Sequence, residues 1–97
     1  MHAIIRKLPR MQNVKEAARR AETGLGPILK QQPGFKAYYI IQLESGGGGS
    51  ISLFDSAAEA KAANQKAVAW IKEHLADLPG SGEPEVTVGE VLAQITA

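Results

Sequence analysis

The sequence predicts an α+β fold: one four-stranded antiparallel sheet with two helices on one face. Three observations predict it. Two amphipathic runs each open on a capping residue with Glu three positions later, four short segments carry β-rich composition, and they alternate in the order β-α-β-β-α-β. In a chain of 97 residues these elements make one domain, long enough for a single core.

The elements follow in order. Residues 3–8, "AIIRKL", form a short strand closed by Pro9. Asn13 is an N-cap, and Glu16 completes a capping box that satisfies free backbone donors. From Val14, apolar residues recur at Ala18, Ala21, Leu25 and Ile28 with Ala17 and Leu29 beside them, one face of a helix. Pro27 cannot donate a backbone hydrogen bond, so a kink or a new short turn is expected there, ending near Gln32. Residues 35–44, "FKAYYIIQLE", are a strand rich in aromatic and β-branched residues, and residues 51–55, "ISLFD", are another. Between them "SGGGGS" reads as a mobile hairpin loop that a short Asn-Gly turn could replace. Ser56 caps the second helix, with Glu59 completing its box, and that helix runs to about Leu75 or Leu78. After the turn-rich "DLPGSGEPE", "EVTVGEVLAQI" is the closing strand, continuing at least to Val91 or Leu92. This order is the ferredoxin-like split βαβ arrangement.

Composition excludes several classes of function. The net charge is +1, so neither an acidic tail nor a strongly basic nucleic-acid binder is indicated. Basic residues do dominate up to Lys36, which reads as solvated faces of unlike elements. The absence of cysteine removes disulfides, thiol nucleophiles and thiolate metal sites. Two distant histidines and no clustered carboxylates give no expectation of a metal, and the glycine run lacks the Lys-Ser/Thr ending of a phosphate loop. No apolar run approaches a membrane span and "MHAIIRKLPR" is too short in its apolar core for a signal peptide, so no membrane partner is expected and the location is read as cytoplasmic.

The strand pattern is apolar on both sides. In the second strand Phe35, Ala37, Tyr39, Ile41 and Leu43 share one side, with Tyr38 and Ile40 on the other. A sheet covered by helices on one face only should alternate more cleanly with polar residues. The second face therefore needs a cover, most economically a second copy of the chain. Replacing Ile40 or Tyr38 by Asp is expected to weaken that homodimer.

The run from "GLGPILKQQPGF" through "SLFDSAAEAKAANQKAVAWIKEHLADL" to "PEVTVGEVLA" resembles small bacterial proteins of the dimeric α/β-barrel superfamily, those grouped with the antibiotic biosynthesis monooxygenase domain. The likeness covers nearly the whole chain, through "QPGF", "SLFDS" and "VTVGEVL". It implies a ferredoxin-like subunit and a homodimer. Members with known activity include cofactor-independent oxygenases of aromatic polyketides and haem-degrading enzymes. The latter use an Asn on the first strand with a Trp and a His further along. The first strand here, "HAIIRKL", has no Asn, so that set is not carried over.

The stretch "NQKAVAWIKEH" holds the candidate site residues. A helical wheel places Asn64 and His74 within the inner arc of the second helix and Trp70 at its edge, among Ala57, Ala60, Ala63 and Ala67. Buried without a partner, the amide or the imidazole would cost on the order of 1–3 kcal/mol. Structurally, Asn64 and His74 would bond to the sheet, a loop or solvent, and Trp70 would cap the core. Functionally, Tyr39, Asn64, Trp70 and His74 would surround a small aromatic or hydrophobic molecule, with His74 as base and Asn64 and Tyr39 as donors in a cofactor-free oxygenase. Tyr38 and Arg6 are the alternatives for a pocket between subunits. A non-catalytic homodimer binding a hydrophobic metabolite competes with this reading, and proton-transfer chemistry such as isomerisation or decarboxylation is a weaker third. The small residues of both helices either allow close packing or leave a cavity.

Overall fold

A computed structural model describes residues 1–97. The order is β1 (His2–Leu8), α1 (Val14–Lys30), β2 (Phe35–Gln42), β3 (Gly48–Phe54), α2 (Ala57–His74) and β4 (Glu85–Glu90). The strands form one antiparallel sheet in the order β2-β3-β1-β4, and both helices lie on one face, α1 over β2 and α2 over β1 and β3. This is the ferredoxin-like α+β architecture that the element order predicts.

The helix starts form where capping residues stand. Asn13 Oδ1 accepts the Glu16 backbone N–H at 3.3 Å, and Ser56 Oγ accepts that of Glu59 at 3.2 Å. Neither box closes back onto the cap's own backbone. Glu59 instead accepts the Ser56 hydroxyl, while Glu16 turns to the guanidinium groups of Arg19 and Arg20. Pro27 starts no new turn: α1 runs unbroken through it to Lys30. So close to the helix end, the missing N–H costs only one bond, and Gln31 still reaches the Pro27 carbonyl.

Register decides which side chains face the helices. On that face lie Ile4 and Arg6 of β1, Ser50, Ser52 and Phe54 of β3, and Tyr38 and Ile40 of β2. Simple alternation puts Phe35 on the opposite side, and the structure corrects it. A register shift between Phe35 and Ala37 sets Phe35 against Phe54, and their rings meet edge to face at 5.8 Å. The glycine segment is also corrected. Gly48 and Gly49 are paired β3 residues, so the connection is a tight turn, with Gly46 N–H donating to Leu43 O and Leu43 N–H to Gly47 O. At its other end the chain leaves the sheet sooner than expected, with β4 stopping at Glu90.

The core joins Ile4, Leu25, Leu29 and Phe54 to Ala60, Ala63 and Ala67 of α2, all essentially inaccessible. Truncating a buried leucine such as Leu29 to Ala in such packing costs about 2–5 kcal/mol. The alanines resolve the question of the small residues. Those of α2 let it lie close on β1 and β3, whereas Ala17, Ala18 and Ala21 of α1 border a cavity. The opposite face of the sheet carries no helix. Its cross-strand rows, Ile5–Ile51–Tyr39 and Ala3–Leu53–Ala37, are apolar, and Tyr39 is 57% exposed.

Candidate functional site

The site grows from a polar residue on an apolar strand. Period-two alternation in β1 places Arg6 beside Ile4 under the helices, where it is 2% exposed. Its cross-strand neighbours on β3 are small: the inward row Gly48, Ser50, Ser52 leaves room for a guanidinium that larger residues would fill. Arg6 Nε donates to Asn64 Oδ1 at 2.7 Å, and Nη1 donates to Ser50 Oγ at 3.2 Å and Ser52 Oγ at 3.0 Å. Nη2 is buried without a partner. Burial pushes the guanidinium pKa down, countered by Tyr38. An arginine nonetheless keeps its charge at any physiological pH. Burial likewise pushes the Tyr38 phenol up, against the Arg6 charge and the Ser50 hydroxyl. Tyr38 is therefore a neutral hydroxyl at pH 7, able to donate.

Arg6 lines a cavity between α1, α2 and the sheet. Its volume is about 50 Å³, and it is partly open to solvent. The walls are mostly apolar, with Leu8, Met11, Val14, Leu25, Ile71 and Leu75 among them. Its polar groups come from Arg6, Tyr38 and Ser50; no His, Asp, Glu or Lys side chain lines it. Convergent polar groups in an apolar cleft are the usual form of a small-molecule site.

The anticipated residues divide. Arg6 and Tyr38, the alternatives for a pocket between subunits, lie on the helix-covered face instead, and Arg6 meets Asn64, which does not itself line the cavity. Tyr39 projects from the open sheet face, away from α2, and does not meet the helix residues. Trp70 is buried, but against α1: a Cβ at Gly24 would lie 2.7 Å from its ring. His74 stacks on Trp70 with ring centroids 4.8 Å apart. Expected to face inward, the His74 imidazole is half exposed at the last turn of α2, while Ile71 and Leu75 on either side of it are buried. Neither Trp70 nor His74 lines the cavity. Ser50 and Ser52 were not singled out from sequence, although their alternation with Phe54 was a signal for them. No three His, Asp or Glu side chains converge on a point that could hold a metal ion, and no helix is long and apolar enough to cross a membrane.

Solved structures share this fold over nearly the whole chain. A monooxygenase from the gene ActVA-Orf6 of Streptomyces coelicolor, in complex with nanaomycin D, superposes with a TM-score of 0.75 at 17% identity, covering 99% of this chain and 91% of that one. A mutant of MhuD with two manganese protoporphyrin IX molecules per active site gives 0.74 at 14% identity, with full coverage of both chains. A dimeric ferredoxin-like protein of unknown function from Jannaschia sp. gives 0.62 at 16% identity, covering 93% and 97%. No protein-family model matches the chain, and no curated protein matches it. The likeness is therefore one of fold, a ferredoxin-like α+β chain, at identities that carry no activity with them.

Proposed function

We propose that this chain is a homodimeric binding module of the antibiotic biosynthesis monooxygenase type, holding a small hydrophobic or aromatic molecule in the cavity beneath its helices. The observation that carries the reading is a mostly apolar cavity into whose lining Arg6, Tyr38 and Ser50 bring polar groups. The dimer is supported by the apolar rows of the open sheet face, larger than scattered surface residues explain, and by the dimeric ferredoxin-like neighbour.

A cofactor-independent monooxygenase is the second reading, favoured by the ActVA-Orf6 neighbour and by a buried cation suited to an oxyanion. Such chemistry needs the substrate ionised. The only acid–base group on the cavity wall besides Arg6 is the Tyr38 phenol, which burial keeps protonated. His74, on the outer side of α2, is out of reach as base. The oxygenase reading is thus confined to phenols or enols acidic enough to ionise unaided.

Calorimetric titration with small phenols, hydroquinones and alkyl alcohols tests the binding reading. Saturable binding that Ala21→Leu abolishes, by filling the cavity, is the expected result. No binding by any of them contradicts it. Oxygen-electrode traces with the same phenols and hydroquinones separate the two readings: consumption of oxygen by wild type, lost in Ala21→Leu, establishes the oxygenase.

A further inference from the structure

We infer that the molecule held in the cavity carries an anionic oxygen, and that Arg6 Nη2 is the donor that meets it. The inference rests on the cavity being a ligand site and specifies what that ligand is: an apolar body with one acidic head, a carboxylate or an ionised phenol or enol.

The argument is one of charge and donors. Arg6 is 2% exposed, and its three partners, Asn64, Ser50 and Ser52, are all neutral. The ion pairs of the chain lie elsewhere, joining Glu16 and Asp77 to Arg19 and Arg20, Asp55 to Lys36, and Glu83 to Lys72. Arg6 enters none of them. A cation taken out of water without a counter-charge opposes folding, and one with an unmet N–H group opposes it further. Tyr38 does not supply the charge, because burial holds its phenol protonated. The three bonds through Nε and Nη1 fix the plane of the guanidinium and leave Nη2 as its one nitrogen without a partner. A donor already fixed loses little freedom on binding, and a charged pair of this kind is about twice as strong as a neutral hydrogen bond. Beyond Arg6 the walls turn to Leu25, Met11 and Ile71, which suit an apolar body and offer nothing to a second charge.

The test is a calorimetric titration of the wild-type chain with matched probes of one shape and different head. Benzoate, benzyl alcohol and benzylamine form one set; hexanoate, hexanol and hexylamine a second; 4-nitrophenolate and 4-nitroanisole a third. The expected result is that an anion binds roughly 10-fold to 100-fold more tightly than its neutral partner, and that the amines do not bind. Preference in the first two sets identifies a carboxylate, and preference in the third alone identifies a phenolate. Arg6→Gln should bring the acid down to the level of its alcohol. Should that variant not fold, Asn64→Asp gives Arg6 an internal carboxylate and should weaken the anion selectively. Neutral probes binding as well as or better than the anions would overturn the inference and leave the cavity as an apolar site. Failure of every probe to bind would overturn both.

Discussion

Asn64 Oδ1 accepts the Arg6 Nε proton at 2.7 Å, a bond that joins the middle of α2 to the middle of β1 across 58 residues of sequence. It settles the orientation of both side chains, since the amide must present its oxygen to a cation that only donates. Asn64→Ala should lower unfolding stability by about 1–3 kcal/mol, the cost of an unmet buried donor. Asn64→Asp should instead keep or raise stability, because the guanidinium gains a counter-charge. Urea unfolding of the two variants beside wild type checks both signs.

The open sheet face predicts where the dimer is sensitive. Ile41→Asp or Tyr39→Asp should yield a folded monomer in sedimentation equilibrium, since each puts a carboxylate into the face proposed to be covered. Ile40→Asp or Tyr38→Asp, the choices that sequence alone suggests, should destabilise the subunit itself, because both side chains pack against the core beneath the helices. A wild-type chain that stays monomeric at micromolar concentration would remove the dimer.

What was legible from sequence follows a physical divide. Capping residues, turn glycines and apolar periodicity are local signals, so the order of elements and the starts of α1 and α2 could be read from Asn13 and Ser56. Features made by pairing between distant strands could not. The irregularity at Lys36 that turns Phe35 inward leaves no mark on a period-two pattern, and Gly48 and Gly49 have no side chains with which to show that they alternate. Arg6 at the centre of the candidate site lay within reach. Its position two residues after Ile4 put it on the core face, and Ser50 and Ser52 stand inward for the same reason. The wheel misplaces His74, whose ring stacks on Trp70 and stays half exposed although Ile71 and Leu75 of the same arc are buried.

The turn between β2 and β3 should tolerate change at one glycine and resist it at the next. Gly46 has φ +104° with nothing near its would-be Cβ, so Gly46→Asn, a residue that accepts positive φ, should leave Tm nearly unchanged. At Gly47, φ is +82° and a Cβ would lie 2.5 Å from the Leu8 and Pro9 backbone, so Gly47→Ala should cost roughly 1–3 kcal/mol. Replacing the whole segment by a short Asn-Gly turn should likewise destabilise, because it removes paired residues of β3. Thermal unfolding of the three variants distinguishes these outcomes.

Glu16 gives the chain a pH dependence of definite sign. Hydrogen bonds from Arg19 and then Arg20 hold its carboxyl down, from an ordinary 4.5 to about 2. With the folded pKa below the unfolded one, its contribution is fully present above about pH 4.5 and is lost as pH falls through about 2. Glu16→Gln should therefore melt below wild type at neutral pH, with the gap closing on acidification across that window. A gap that stays constant throughout would show that the pairs with Arg19 and Arg20 contribute nothing.

The measurement that bears most directly on the central claim is a nuclear magnetic resonance titration with benzoate and with benzyl alcohol, following the Arg6 Nε–H and the methyl groups of Leu25, Ile71 and Ile5. A small molecule seated beneath the helices should shift Arg6, Leu25 and Ile71 in a saturable way and leave Ile5, on the open face, in place. Shifts confined to Ile5, or none at saturating concentrations of both probes, would contradict a ligand site within the subunit.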